Sequence, residues 1–413
     1  MNKNDNFIDI KRYKNNNDEH NDELTFDMQG GRVIGEGGYG CVLKPAINCN
    51  GTEKKGDKYI TKIQLESETS NREIQIGNLV KKIPLSNKHF APIVSTCISK
   101  PSVVNIIVKN NNCSFLNKNM NKPFAISKIR TVNGEDFKHH IYNQSFSGNL
   151  LYTLIHSYVY LLFSVYLLDK HDIIHYDLKG ENIIYDLNKK KPIIIDFGLS
   201  IDKKNITPDF NNANYLYNLK DYFYTYAPDY KLWCLDIHYL SYICNYPNKN
   251  VKDEIENMVD TYIYHNSALH RLSDSFQKRY RELSIKQLNT YADMGVKKSI
   301  EYLYNYSSTW DNYALSIMFL RLLKVFDKDT NSDFFYFFEM LLSLNIHPIP
   351  KQRISVKKTH DYIVSYLNKN TNDIAIFQKI VNSIEKDKSN IKKQIKKQIE
   401  NDKAVSYKMS LFK

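Results

Sequence analysis

Residues 175–182 read His175-Tyr176-Asp177-Leu178-Lys179-Gly180-Glu181-Asn182, and the apolar run Ile193-Ile194-Ile195 further on is closed by Asp196-Phe197-Gly198. Phosphoryl transfer asks a protein for a carboxylate beside the attacking hydroxyl, a cation near the moving phosphate and oxygen ligands for magnesium. This short stretch supplies all three. Asp177 would accept the proton of the substrate hydroxyl, Lys179 would steady the γ-phosphate, and Asn182 and Asp196 would hold metal. Either motif alone is weak evidence, because Asp-Phe-Gly is a common tripeptide and a single His-x-Asp-Leu is more often a solvated turn. Their order and spacing give the pair its weight.

Asp177-Leu178-Lys179 followed by Asn182 resembles the catalytic loop of eukaryotic-type protein kinases. The resemblance covers residues 30–368 approximately and implies a two-lobed α+β fold, with a small β-rich N-terminal lobe (residues 25–130) and a larger helical lobe (131–368). It also implies ATP and Mg2+ as cofactors and a protein hydroxyl as acceptor. Upstream, Val33-Ile34-Gly35-Glu36-Gly37-Gly38-Tyr39-Gly40-Cys41-Val42 fits Gly-x-Gly-x-x-Gly-x-Val. Glycines let a hairpin backbone approach phosphates with no Cβ in the way, and Val42 would cover the adenine ring. A strand-like Cys41-Val42-Leu43 and a turn-rich stretch follow, where a dinucleotide fingerprint would open a helix. Ile34, Gly35, Gly37, Gly40 and Val42 are therefore the expected nucleotide contacts. Tyr59-Ile60-Thr61-Lys62-Ile63 alternates as a strand and puts Lys62 at the place of the family's phosphate-binding lysine. In the helical segment 66–82 that follows, Glu73 is the expected partner of Lys62, ahead of Glu66 and Glu68, which lie close to the strand's end. Eleven residues from Lys62 to Glu73 is short for the family, so the connection must be trimmed or the helix shifted.

Ala91-Pro92-Ile93-Val94, Val103-Val104-Asn105-Ile106-Ile107-Val108 and Phe124-Ala125-Ile126-Ser127 read as the remaining strands of the small sheet. Ser127 to Thr131 would be the hinge, and Gly134-Glu135-Asp136-Phe137 would open the larger lobe. Residues 149–168 are nearly as long and apolar as a membrane span. They end just before the catalytic loop, though, where the family has a buried helix. After Asp196 the chain reaches Ala227-Pro228-Asp229, similar to the family's Ala-Pro-Glu, and His347-Pro348-Ile349-Pro350-Lys351-Gln352-Arg353 resembles the segment that pairs with that acid. The ion pair would join Arg353 to Asp229 or, in its place, Asp236. Trp310-Asp311-Asn312-Tyr313 looks like the start of the family's central helix, whose aspartate caps the catalytic loop. Residues 230–309 then form an insert with helical periodicity at Ile255, Met258, Val259 and Tyr262, read as extra helices beside the substrate groove that would recognise either the substrate or a partner.

The 413 residues suffice for a large core, and a net charge of +12 favours anionic partners without selecting one. Six cysteines without a Cys-x-x-Cys pair suggest a reducing, intracellular (cytoplasmic) compartment. Residues 1–24 are polar and expected to be disordered. At the other end, residues 369–413 carry an isoleucine-rich stripe from Phe377 to Ile399 among many lysines. A helix docking on the catalytic unit or pairing with itself is favoured there over contact with a membrane or nucleic acid. Tyr176 stands where many family members have an arginine that receives an activation-loop phosphate, so activity independent of loop phosphorylation is expected. Lys179 follows the serine/threonine pattern, while Tyr222 stands where such kinases often carry threonine. The trimmed connection, altered Ala-Pro-Glu and large insert are similar to the divergent serine/threonine kinases of large cytoplasmic DNA viruses, whose members can be virion-associated. Two rival readings are a scaffold acting through the insert and basic tail, and a kinase of small molecules.

Overall fold

The computed structural model of the chain describes residues 32–37, 40–49, 56, 58–99, 113–119, 121–144, 150–206, 208–323 and 333–370, and single positions at 382, 386, 389 and 393. The expected tail 1–24, the strand at 103–108 and nearly all of the basic stripe lie outside these residues.

The architecture is α+β. Strands β1 (Arg32–Gly37), β2 (Gly40–Lys44), β3 (Tyr59–Leu65), β4 (Ile93–Ser99) and β5 (Phe124–Arg130) form an antiparallel sheet in the order β1-β2-β3-β5-β4. Alternation decides its faces, with Cys41, Leu43 and Ile63 turned into a small core with Ile47, Leu116, Phe124 and Ile126. Two disulfides, Cys41–Cys113 and Cys49–Cys97, tie this sheet to its connections, leaving Cys234 and Cys244 as buried thiols. The expectation of six reduced cysteines is thereby corrected. Both pairings close long loops, of 72 and 48 residues, so no local spacing announced them. Strand β5 runs on to Arg130 because each residue from Phe124 pairs with β3, leaving Thr131–Asn133 as the link.

Helix α1 (Glu68–Lys82) begins three residues after β3, started by a reciprocal cap in which Ser67 and Ser70 each satisfy the other's backbone. Its buried face carries Ser70, Glu73, Ile76, Gly77 and Val80, a helical stripe. Gly77 lets α1 cross close over β4, since a Cβ there would lie 3.2 Å from that of Ile93. Ile76 and Val80 belong to the larger core, so α1 joins the sheet to the helical remainder.

That remainder starts with β6 (Gly134–Asp136) and helices α2 (Phe137–Gln144) and α3 (Leu150–Lys170). By length and composition α3 could cross a membrane; here it is mostly buried, packed against β9 (Lys191–Ile194) and the last helix. Strand β6 pairs with β8 (Ile183–Asp186), which pairs with β9, while β7 (Ile173–Ile174) pairs with β10 (Ile201–Asp202). Then come α4 (Leu235–Asn245), α5 (Ile255–His265), α6 (Asp274–Met294), α7 (Val296–Asn305), α8 (Trp310–Leu322), α9 (Asp333–Asn345) and α10 (Val356–Lys369). Helix α8 is central and buried on every face from Trp310 to Leu320, its polar Asp311, Asn312 and Ser316 included. The insert is helical as its periodicity predicts. Its Met258, Val259, Tyr262, Leu288, Tyr291 and Ile300 belong to the main core, so it is built into the fold.

The expected Arg353–Asp229 pair is corrected in favour of its alternative, Asp236. The Arg353 guanidinium meets the Asp236 carboxylate at 2.7 and 3.3 Å, both side chains 1% exposed, while Asp229 is exposed. Asp229 fails because it precedes α4, whereas Asp236 sits in that helix's first turn and faces the core. Arg353 also lies over the Tyr313 ring, whose hydroxyl meets those of Tyr262 (2.5 Å) and Tyr280 (2.8 Å). Asp236→Asn should lower unfolding stability by about 3–5 kcal/mol, because it strands a buried guanidinium; a denaturant titration reads this as a lower midpoint with little change in slope.

His89 offers a second test. Its Nδ1 lies 2.8 Å from Ser164 Oγ, whose own proton is committed to the Tyr160 carbonyl, so Nδ1–H donates and Nε2 is bare. Burial, helped by the charges of Lys191 and Lys88, pushes its pKa from 6.5 down to about 3. The unfolded imidazole binds a proton across that interval and the folded one does not. Stability is therefore full above pH 6.5 and falls toward pH 3 by about 1.4 kcal/mol per unit from this group. Unfolding measured at a series of pH values should show a shallower acid loss in His89→Gln than in the wild type.

Candidate active site

The sheet contributes Lys62. In the β2–β3 register Val42 lies opposite Lys62 and Gly40 opposite Gln64, so these four share one face of the sheet. Gly40 is required by packing as well as by any ligand: a Cβ there would lie 2.0 Å from the Ile63 carbonyl oxygen. Gly37 pairs with Gly40 at the hairpin's end, Gly35 follows a bulge, and Ile34 at that bulge is 46% exposed. Glu36 reaches sideways, accepting from the Ser114 hydroxyl and from the Phe115 N–H (3.1 Å).

Lys62 Nζ donates to both oxygens of Glu73 (2.8 and 2.9 Å) and to Asp196 Oδ1 (3.3 Å). Gln64 Nε2 donates to Glu73 Oε2 at 2.9 Å, a contact that strand periodicity could have revealed, since Gln64 lies two residues beyond Lys62. The expected Lys62–Glu73 pair forms because α1 starts at once after the strand; Glu66 and Glu68 point outward. Burial pulls the Lys62 ammonium toward neutrality, but the Asp196 and Glu73 charges overcome it and hold its pKa above the ordinary value. For Asp196, burial acts to raise the pKa, and Lys62 with the Gly198 N–H prevails and lowers it. Protein surrounds Asp196 on most sides, yet its side chain is 47% exposed, at the mouth of the site.

Asp177, Lys179 and Asn182 form the second half. Lys179 Nζ and Asn182 Nδ2 donate to Asp177 Oδ2 (2.7 and 2.9 Å), and Asn182 Nδ2 also reaches the Asp177 carbonyl (2.8 Å). The remaining oxygen, Oδ1, accepts from the Tyr230 hydroxyl at 3.1 Å. Nothing in the sequence singled out Tyr230. The two halves are laced together: Ile195 N–H donates to the Asn182 carbonyl (2.9 Å), His175 Nε2 lies 3.0 Å from the Ile195 carbonyl, and Ser200 Oγ donates to the His175 carbonyl (3.1 Å). Tyr176 and Asp196 both adopt left-handed backbone, at φ 70° and 59°, which non-glycine residues keep only where surroundings enforce it.

Asp311, in the first turn of α8, supplies that enforcement. Its two oxygens accept from the His175 N–H (2.7 Å) and the Tyr176 N–H (2.9 Å). Burial raises its pKa despite these bonds and the nearby His175. The Tyr176 side chain is enclosed by Trp233, Phe223 and Trp310, an apolar setting. A cation faces the following loop from elsewhere: Arg72 stacks on Tyr222 (4.3 Å) and donates to the Asp221 carbonyl (3.0 Å).

The donor set fits magnesium. Asn182 turns its nitrogen to Asp177, leaving its amide oxygen available, and Asp196 uses only Oδ1 toward described residues, leaving Oδ2 for a cation. Both are hard oxygen donors. No family model matches this chain, and no curated protein matches it. Asp311→Asn would present an amide N–H to one of the two backbone donors; it should cost about 1–3 kcal/mol. Amide hydrogen exchange should then speed up at His175 and Tyr176 before it does elsewhere in the core.

Proposed function

We propose that the chain is a serine/threonine protein kinase that transfers the γ-phosphate of Mg-ATP to protein hydroxyls. In this reading the five-stranded sheet with α1 is the smaller lobe of a protein-kinase fold and residues from Gly134 onward are the larger. The observation that carries it is the meeting of Lys62, Glu73 and Asp196 with Asp177, Lys179 and Asn182 through the 175–200 backbone contacts.

The acceptor oxygen forms a bond to the γ-phosphorus as the bond from that phosphorus to the β–γ bridging oxygen breaks, and ADP departs. Asp177 takes the hydroxyl proton; its bonds to Lys179 and Asn182 keep it aimed. Lys179 offers a charge to the moving phosphoryl group. Lys62, fixed by Glu73, holds the α- and β-phosphates, and Gly35, Gly37 and Gly40 let the hairpin approach them, with Ile34 and Val42 against the base. Asn182 and Asp196 would hold magnesium, which supplies charge neutralisation on the phosphates. Activity would not depend on loop phosphorylation, since the Tyr176 side chain is packed among aromatic rings and the loop's end is already held by Arg72.

A scaffold acting through the 230–309 insert and the basic tail would have no use for an aligned Asp177, and the insert's burial in the core leaves it less free for a partner. The kinship with kinases of large cytoplasmic DNA viruses, and the cytoplasmic or virion setting it suggests, rest on sequence alone. Two disulfides weigh against a strongly reducing compartment. Wild-type chain given Mg-ATP and a mixed protein substrate should label serine or threonine, before and after phosphatase treatment. Asp177→Asn should lose this by about 10²–10⁴-fold while still binding ATP. Label on tyrosine alone, or equal transfer by the variant, would sink the reading.

A further inference from the structure

The 226–233 segment is held to both the catalytic loop and the insert. Tyr230 donates to Asp177 Oδ1 (3.1 Å), and Trp233 Nε1 donates to the carbonyl of Tyr176, the residue before Asp177 (2.9 Å). One segment thus fixes the side chain of the proposed base and the backbone that presents it. The tyrosine is itself immobilised. Its ring meets Trp233 edge-on at 5.0 Å, and its carbonyl lies 3.2 Å from His238 Nε2. On either side the insert takes hold: Tyr226 donates to Glu254 Oε1 (2.9 Å) and Tyr262, on α5, donates to the Lys231 carbonyl (3.0 Å). Burial foremost, then the Asp177 charge, drives the Tyr230 pKa upward, so its hydroxyl stays a donor throughout the neutral range.

We infer that Tyr230 is a positioning residue for Asp177, and that the inserted helices serve to hold Tyr230 against it. The inference rests on the kinase reading and deepens it by giving the insert a task. A carboxylate oxygen accepts two hydrogen bonds, so Oδ1 can keep the phenol and still receive an acceptor hydroxyl. With Oδ2 committed to Lys179 and Asn182, the phenol fixes the rotation of the carboxylate and hence the direction in which Oδ1 faces the incoming hydroxyl. Loss of the phenol leaves the base present but free to turn, which affects the chemical step and leaves nucleotide binding alone.

Tyr230→Phe removes only the hydroxyl, and Tyr226→Phe loosens the segment at a distance. Steady-state transfer should show kcat lowered by about a hundredfold in Tyr230→Phe with KM for Mg-ATP and the melting temperature unchanged. Tyr226→Phe should give a smaller fall of the same kind, and the double variant should be no worse than Tyr230→Phe, since both act through one contact. A Tyr230→Phe enzyme with wild-type kcat would overturn the inference while leaving the kinase reading intact. Absence of transfer by the wild type would overturn both.

Discussion

One ammonium joins three parts of this chain. Lys62 comes from a central strand, Glu73 from the helix that crosses the sheet, and Asp196 from a turn more than a hundred residues later, and its Nζ lies within 3.3 Å of oxygens of both acids. Lys62 and Glu73 are largely buried and stable only when matched, because each would otherwise carry an unmatched desolvation cost, while Asp196 joins them from the half-exposed mouth of the site. The geometry of the set therefore fixes how α1 seats on the sheet and how the 196 turn approaches both. Glu73 can enter it because α1 starts without a long connection, and Asp196 can because the backbone accepts a left-handed residue there. The excess of negative charge over Lys62 would suit the cation that the proposed function requires.

Much of this was legible in the sequence, and the reasons are local. Alternation over Tyr59–Ile63 marked a strand carrying Lys62, and Glu73 stood out in the helical segment after it because Glu66 and Glu68 lie too close to that strand's end. The order and spacing of Asp177, Lys179, Asn182 and Asp196 reflect a loop and a turn whose internal hydrogen bonds are short-range. Asp311 was legible through the resemblance of Trp310-Asp311-Asn312-Tyr313 to the start of a central, loop-capping helix.

The remainder depended on contacts between distant segments. Motif position favoured Asp229 as the partner of Arg353, with Asp236 in its place only as an alternative; the start of α4 decides for Asp236, because only the acid inside that first turn faces the core. The disulfides join positions on separate strands and connections with no spacing rule, so cysteine counting pointed to free thiols. Tyr230 is one of 31 tyrosines, and what distinguishes it is a contact across 53 residues. The insert's periodicity predicted helices but not their depth. Tyr262 and Tyr280 put their hydroxyls on Tyr313 under the Arg353 guanidinium, so the inserted helices help to enclose the buried ion pair that anchors α4.

The most direct test of the account is a crystal structure of the chain with Mg2+ and a non-hydrolysable ATP analogue. The account predicts the phosphates between the Gly35–Gly40 hairpin and Lys62, metal on Asp196 and Asn182, and the γ-phosphate facing Asp177 with the Lys62–Glu73 pair retained. Nucleotide bound elsewhere, or metal bound without Asp196 and Asn182, would contradict it.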